Sequence, residues 1–142
     1  MRYLELCTLT GSQIEDLLGL MKELNAELNV TALQQQRSVA SPGTRIFIAE
    51  NDAKHIVGCA TLCVYESPTG RKASVEDVVV LPAYRGQGIG RTLLQRIIDF
   101  AGTKLSPIDL HLTSQPARKE ANALYQALGF KQRDTNVYKM TL

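Results

Sequence analysis

Apolar residues recur along this chain with two different periods, and the places where the period changes mark its elements. Arg2 to Leu9 alternates loosely and predicts a first strand. Ile14, Leu17, Leu18, Met21, Leu24 and Leu28 then fall three or four apart, the single stripe of an amphipathic helix. Ser12-Gln13-Ile14-Glu15 is a capping-box pattern at its start, and Asn29 is a candidate end. Thr31 to Ala40 predicts a second short helix, polar enough through Gln34-Gln35-Gln36-Arg37 to lie on the surface. Ser41-Pro42-Gly43 breaks it. Arg45 to Glu50 and Ile56 to Tyr65 predict two strands joined by Asn51-Asp52-Ala53-Lys54. Glu66 to Arg71, with Pro68 and Gly70, is a second turn.

Val75 to Gln95 is the most organised stretch. Val78-Val79-Val80-Leu81 is a continuous β-branched and aliphatic run, the pattern of a strand buried on both faces, and Pro82 stops it. Arg85-Gly86-Gln87-Gly88-Ile89-Gly90 is a glycine-rich turn. Ile89, Leu93, Leu94, Ile97, Ile98 and Ala101 then make the stripe of a long helix. Beyond Ser106-Pro107, Ile108 to Thr113 predicts a strand. Ala117 to Leu128 predicts a helix ended by Gly129, and Phe130 to Arg133 and Asn136 to Met140 predict two closing strands. The order β-α-α-β-β-β-α-β-α-β-β describes an α+β fold: a mostly antiparallel mixed sheet with helices on its faces.

A strand, a glycine-rich turn and a helix start together form an anion cradle. The first N–H groups of a helix lack intrahelical partners, and its dipole adds about half a positive charge there. Glycines let a phosphate approach the backbone, and Arg85 and Arg91 add full charges. The same pattern also fits a turn that binds nothing. No Gly-Lys-Ser/Thr ending is present, which argues against a nucleotide-triphosphate loop. The spacing Gly-x-Gly-x-Gly is not that of the dinucleotide fingerprint.

Composition narrows the class. The length of 142 residues suits one domain over 1–142, and 44% apolar with 21% charged residues is ordinary for a globular chain. No apolar run approaches a membrane span and the start lacks a signal peptide's apolar region, so the expectation is a cytoplasmic protein without a membrane partner. A net charge of +2 gives no case for nucleic acid. Cys7, Cys59 and Cys63 have no paired spacing, and with only His55 and His111 to help, no metal is expected.

Arg85-Gly86-Gln87-Gly88-Ile89-Gly90 resembles the Arg/Gln-x-x-Gly-x-Gly/Ala acetyl-CoA loop of the GNAT superfamily of N-acetyltransferases. Val78-Val79-Val80-Leu81-Pro82-Ala83-Tyr84 resembles the strand and turn before it. Ala121-Asn122-Ala123-Leu124-Tyr125-Gln126-Ala127-Leu128-Gly129-Phe130 is similar to that family's later Ala-x-x-x-Tyr-x-x-x-Gly-Phe element. The resemblance implies the GNAT fold, with the central strand and the next one splayed apart. It also implies acetyl-CoA as co-substrate and a small-molecule or peptide amine as acceptor.

It further implies roles for particular residues. Val78, Val79 and Val80 would offer main-chain groups to pantetheine and the acetyl oxygen. Arg85, Gly86, Gln87, Gly88, Ile89, Gly90 and Arg91 would hold the pyrophosphate, with Asn122 near pantetheine. Tyr125 would be the acid for the leaving thiolate; it also lies on its helix's apolar stripe, where packing alone would explain it. Glu76 is the candidate base, placed by strand alternation on the face of Val78 and Val80, with Asp77 opposite. His111 is a second candidate, and an amine that arrives neutral needs none. Many GNAT proteins carry asparagine seven residues before the tyrosine; here Arg118 stands there. Arg133, Asn136 and Tyr138 are candidates for one wall of an acceptor pocket. No cysteine sits in a nucleophile context, so direct transfer in a ternary complex is expected. A non-catalytic acetyl-CoA sensor and a user of longer acyl chains remain open, as does a homodimer through the C-terminal sheet edge.

Overall fold

The computed structural model describes all 142 residues. Contacts divide them into two units, Met1–Leu112 and Thr113–Leu142.

The first unit holds β1 (Arg2–Leu6), α1 (Gly11–Leu24), α2 (Ala32–Ala40), β2 (Thr44–Glu50), β3 (Ile56–Ser67), β4 (Gly70–Val80), α3 (Ile89–Phe100) and β5 (Leu110–His111). The sheet order follows the chain, β1-β2-β3-β4-β5. The first three ladders are antiparallel and β4–β5 is parallel. The register decides which helix covers which face. Ile46, Ile48, Cys59 and Val79 lie on one face with Leu17, Leu20 and Met21 of α1. Phe47 and Gly58 lie on the other face, where they meet Phe100 and Ile89 of α3. The sheet thus carries apolar side chains on both sides, as helices on both faces require.

Local chemistry accounts for the helix starts. Helix α1 begins two residues earlier than its expected box: Thr10 is the N-cap, its hydroxyl accepts from Gln13 N at 3.2 Å, and Gln13 Oε1 accepts from Thr10 N at 3.0 Å. The Thr31 hydroxyl caps α2 without a return bond, accepting from Gln34 N at 3.2 Å.

Two expectations about the sheet need correction. Strand β4 is not regular. Thr61 pairs with Glu76 and Cys59 with Val79, so Asp77 and Val78 together oppose Ala60 in a bulge. Asp77 takes the extra turn at φ 50°. The inserted residue shifts the alternation, so Glu76 shares a face with Val79, not with Val78 and Val80. Burial follows the same frame: Val79 is buried, whereas Val78 and Val80 are half-buried.

The second unit contains α4 (Lys119–Ala127), with Gly129 at φ 101° just past its end. Phe130–Arg133 and Asn136–Met140 form no strand, and residues 131–142 are exposed throughout, Val137, Tyr138 and Met140 included. Strand periodicity without a ladder to join does not make a strand, because a lone hairpin is marginal in water. The C-terminal sheet edge expected to invite pairing is therefore absent, and the sheet ends at β1 and β5.

Candidate active site

Strand β4 pairs with β5 only at Ala73–Leu110 and Ser74–His111. From Val75 to Val80 its outer edge meets no strand, so the main-chain groups of Val78, Val79 and Val80 border an open seam. Strand β5 ends at His111, so the ladder stops there.

The seam runs into the glycine turn. Leu81 N donates to Val57 O at 2.9 Å, and Pro82–Tyr84 makes one tight turn closed by Arg85 N on Pro82 O at 3.2 Å. Gly86 and Gly88 stand at φ 75° and 78°, a region that L side chains rarely adopt. Gly88 is the N-cap of α3, with no side chain capping it, and Thr92 N is the first to bond back, to Gly88 O at 3.0 Å. The N–H groups of Ile89, Gly90 and Arg91 precede that bond and are open to an outside acceptor. A Cβ built at Gly86 or Gly88 would meet nothing within 4 Å, so space lies above the loop. The cradle suits an anion such as a pyrophosphate.

Side chains tie the loop to the sheet. Arg85 Nε donates to Val80 O at 2.9 Å and its Nη2 pairs with Glu23 Oε1 of α1 at 2.9 Å. That pair is exposed, and a pair of that kind is worth about 1 kcal/mol or less, so an incoming anion could draw Arg85 away. Asn51 Nδ2 donates to Tyr84 Oη at 3.0 Å, and Gln87 Nε2 reaches Ala83 O at 3.5 Å. The side chain of Arg91 is on the same first turn of α3 as the open N–H groups. It lines a groove of about 610 Å³ with Thr92, Gln95, Arg96 and Asp99 of α3 and Phe47 of β2, on the α3 face.

Glu76 is on the α1 face. Ser74 Oγ donates to its Oε1. Thr44, Cys63, Ser74 and His111 occupy one row across β2, β3, β4 and β5, and Thr61 and Glu76 sit on the next. Both candidate bases, Glu76 and the exposed His111, thus belong to one polar patch. Partial burial and then the neighbouring Glu76 carboxylate raise the Asp77 carboxyl above its ordinary range. Cys59 and Cys63 are poor nucleophiles. Burial and then Asp77 push the Cys59 thiol up to about 12, and burial followed by Glu76 raises Cys63 against an opposing hydrogen bond from Thr44. No cluster of His, Cys, Asp or Glu stands close enough to hold a metal ion.

Tyr125 and Asn122 belong to α4 in the second unit. Tyr125 is buried, its ring edge-on to Phe130 with centroids 6.2 Å apart. Burial raises its phenol, while Arg118 opposes that rise as a charge and as a hydrogen-bond partner. Asn122 Nδ2 is occupied by Gln115 O at 3.0 Å.

Residues 42–132 match the family described as "Acetyltransferase (GNAT) domain". This chain belongs to the GNAT acetyltransferases. Among similar proteins, the thialysine N-epsilon-acetyltransferase of Mus musculus is 36% identical over 46% of this chain; the match spans only 38% of that relative. An aminoglycoside N(6')-acetyltransferase type 1 of Acinetobacter baumannii is 29% identical over 92% of both chains. A putative acetyltransferase from Agrobacterium tumefaciens superposes with a TM-score of 0.84 at 26% identity, over 99% of this GNAT chain and 100% of its own. The neighbour supports the mixed five-strand α+β architecture.

Three elements of this site are all but silent in the sequence pattern. Gly58 lies beneath Ile89 and Val80, Glu23 holds Arg85, and the bulge at Asp77 resets the strand. Only Asp77 leaves a trace, since Asp tolerates a left-handed backbone better than most residues.

Proposed function

We propose that this GNAT chain transfers an acetyl group from acetyl-CoA to a primary amine by direct attack in a ternary complex. The observation that carries the reading is a strand edge without a ladder partner beyond Ser74, which leads through one tight turn to the open N–H groups at the start of α3. An extended pantetheine suits the first part and a pyrophosphate the second.

In the reaction the amine nitrogen attacks the thioester carbonyl. A C–N bond forms, the C–S bond breaks, and the amine loses a proton while the thiolate gains one. Glu76 accepts the amine proton in this reading, held by Ser74 on the α1 face, with His111 as the nearby alternative. Tyr125 gives its phenolic proton to the sulfur. Main-chain N–H groups of Val78–Val80 stabilise the oxyanion. A covalent acetyl-cysteine is disfavoured, because Cys59 and Cys63 are both held as thiols.

The acceptor is a small-molecule or peptide amine. Relatives are named for thialysine, spermidine and aminoglycosides, all of which present primary amines. Release of thiol from acetyl-CoA, measured across a panel of such amines, tests the reading. Amine-dependent release with intersecting initial-velocity lines is expected. Binding of acetyl-CoA without release by any amine would instead identify a sensor on the same fold.

A further inference from the structure

The bulge in β4 is held by a cysteine from the neighbouring strand. The inserted residue of a bulge falls outside the ladder, so its main-chain groups need other partners. Here Asp77 and Val78 share the place opposite Ala60, and Asp77 adds a left-handed backbone at φ 50°. A non-glycine residue keeps that conformation only where its surroundings fix it. Cys59 Sγ donates to Asp77 O at 3.5 Å. Cys59 is paired in register with Val79, 1% exposed, and clustered with Ile46, Ile48 and Val79. Burial and then Asp77 keep its thiol protonated, so a donor is always present. The bulge also decides where other groups stand. In an unbroken strand Glu76 and Val79, three apart, lie on opposite faces; the inserted residue brings both to the α1 face.

We propose that Cys59 is a positioning residue for the transfer reaction: its thiol holds the Asp77 bulge and so fixes the Glu76 carboxylate relative to the main chain of Val78–Val80. The inference rests on the roles given above to Glu76 and to that main chain. Cys59 stays a thiol throughout, and no bond to its sulfur forms or breaks. A sulfur donor makes a weak hydrogen bond, but the segment it steadies is the one on which the spacing of base and oxyanion donors depends.

The test separates donation from packing. Cys59→Val and Cys59→Thr add the same bulk to the core, but only threonine keeps a donor. Amide hydrogen exchange at Val79 is read against Leu62, farther along the same ladder. Cys59→Val should lower protection at Val79 about five- to tenfold beyond any change at Leu62, and Cys59→Thr should leave Val79 near its original protection. With a responsive acceptor, Cys59→Val should lower kcat about tenfold with the acceptor KM little moved, and Cys59→Thr should recover most of the loss. Cys59→Ser against Cys59→Ala repeats the comparison without added bulk should either branched variant fail to fold. If packing were the whole role of Cys59 the order would reverse, because a buried hydroxyl without a partner costs more than a methyl group. Valine equal to or better than threonine at Val79 therefore overturns the inference even if the protein is an active acetyltransferase. Graded protection with equal kcat in both variants overturns its catalytic half. Graded protection without turnover of any amine by the unsubstituted protein refutes the transferase reading beneath it and takes the catalytic half with it, while the thiol still holds the bulge.

Discussion

Replacing Gly58 by alanine should weaken the fold and the cofactor cradle together. Gly58 lies on β3 where the first turn of α3 crosses the end of β4. A Cβ there would sit 3.2 Å from Ile89 Cγ2 and 3.3 Å from both Val79 O and Val80 Cγ2. Ile89 is buried and Val79 O is main chain, so neither gives way by a simple rotation. Overpacking of this kind costs about 1–3 kcal/mol. With an unfolding entropy of about 2.1 cal/mol/K per residue, a chain of this length loses roughly 3 °C of Tm per kcal/mol. A fall of about 3–10 °C is expected. The strain falls on Ile89 and on Val79–Val80, the two sides of the cradle, and one charge-assisted hydrogen bond lost there would weaken acetyl-CoA about tenfold. Gly19→Ala is the control. Gly19 is exposed inside α1, its Cβ would meet nothing within 4 Å, and alanine should add about 0.5–1 kcal/mol with no change in affinity. Thermal melts and titration calorimetry read both quantities. A Gly58→Ala protein that melts lower but binds acetyl-CoA as before would refute the coupling, and one that melts unchanged would refute the packing argument itself.

Two further predictions concern titrating groups. The Asp77 carboxyl is raised, so the folded chain holds that proton more tightly than the unfolded chain, and its ionised form costs stability above the folded pKa. Asp77→Asn, which keeps a side chain tolerant of φ 50°, should stabilise the protein at neutral pH. The gain should shrink as pH falls through the carboxylate range; urea melts across that range would contradict the account if it grew instead. Tyr125→Phe should lower kcat about a hundredfold while calorimetry shows acetyl-CoA affinity in place; a joint loss of both would make Tyr125 a packing residue.

Most of the fold was legible because the periods were long and unbroken. The stripes of Leu17, Met21, Leu93 and Ile97 end up in the core, and the hairpins close where Asn51–Lys54 and Pro68–Gly70 punctuate the chain. The cradle was legible for a local reason: glycine spacing reports backbone conformation directly, and Gly86 and Gly88 do take positive φ. What escaped is non-local. A bulge depends on the partner strand, so alternation alone put Glu76 on the wrong face. The helix cap fell on Thr10 because Gln13 completes the reciprocal pair, although Ser12 and Glu15 show the same spacing. Gly58 and Glu23 matter only through what folding brings over them. Asn136–Met140 alternates like a strand yet finds no ladder.

The most direct test is the thermal midpoint with acetyl-CoA, coenzyme A, ATP and NAD added separately. A ligand at about 100 times its Kd adds about 2.7 kcal/mol to a protein that binds only when folded. For this chain that is a rise of roughly 8 °C. A rise with acetyl-CoA and coenzyme A, absent with ATP and NAD, is the predicted result. No rise with either coenzyme A species would mean that the turn from Arg85 to Gly90 binds nothing, and the proposed transferase would fall with it.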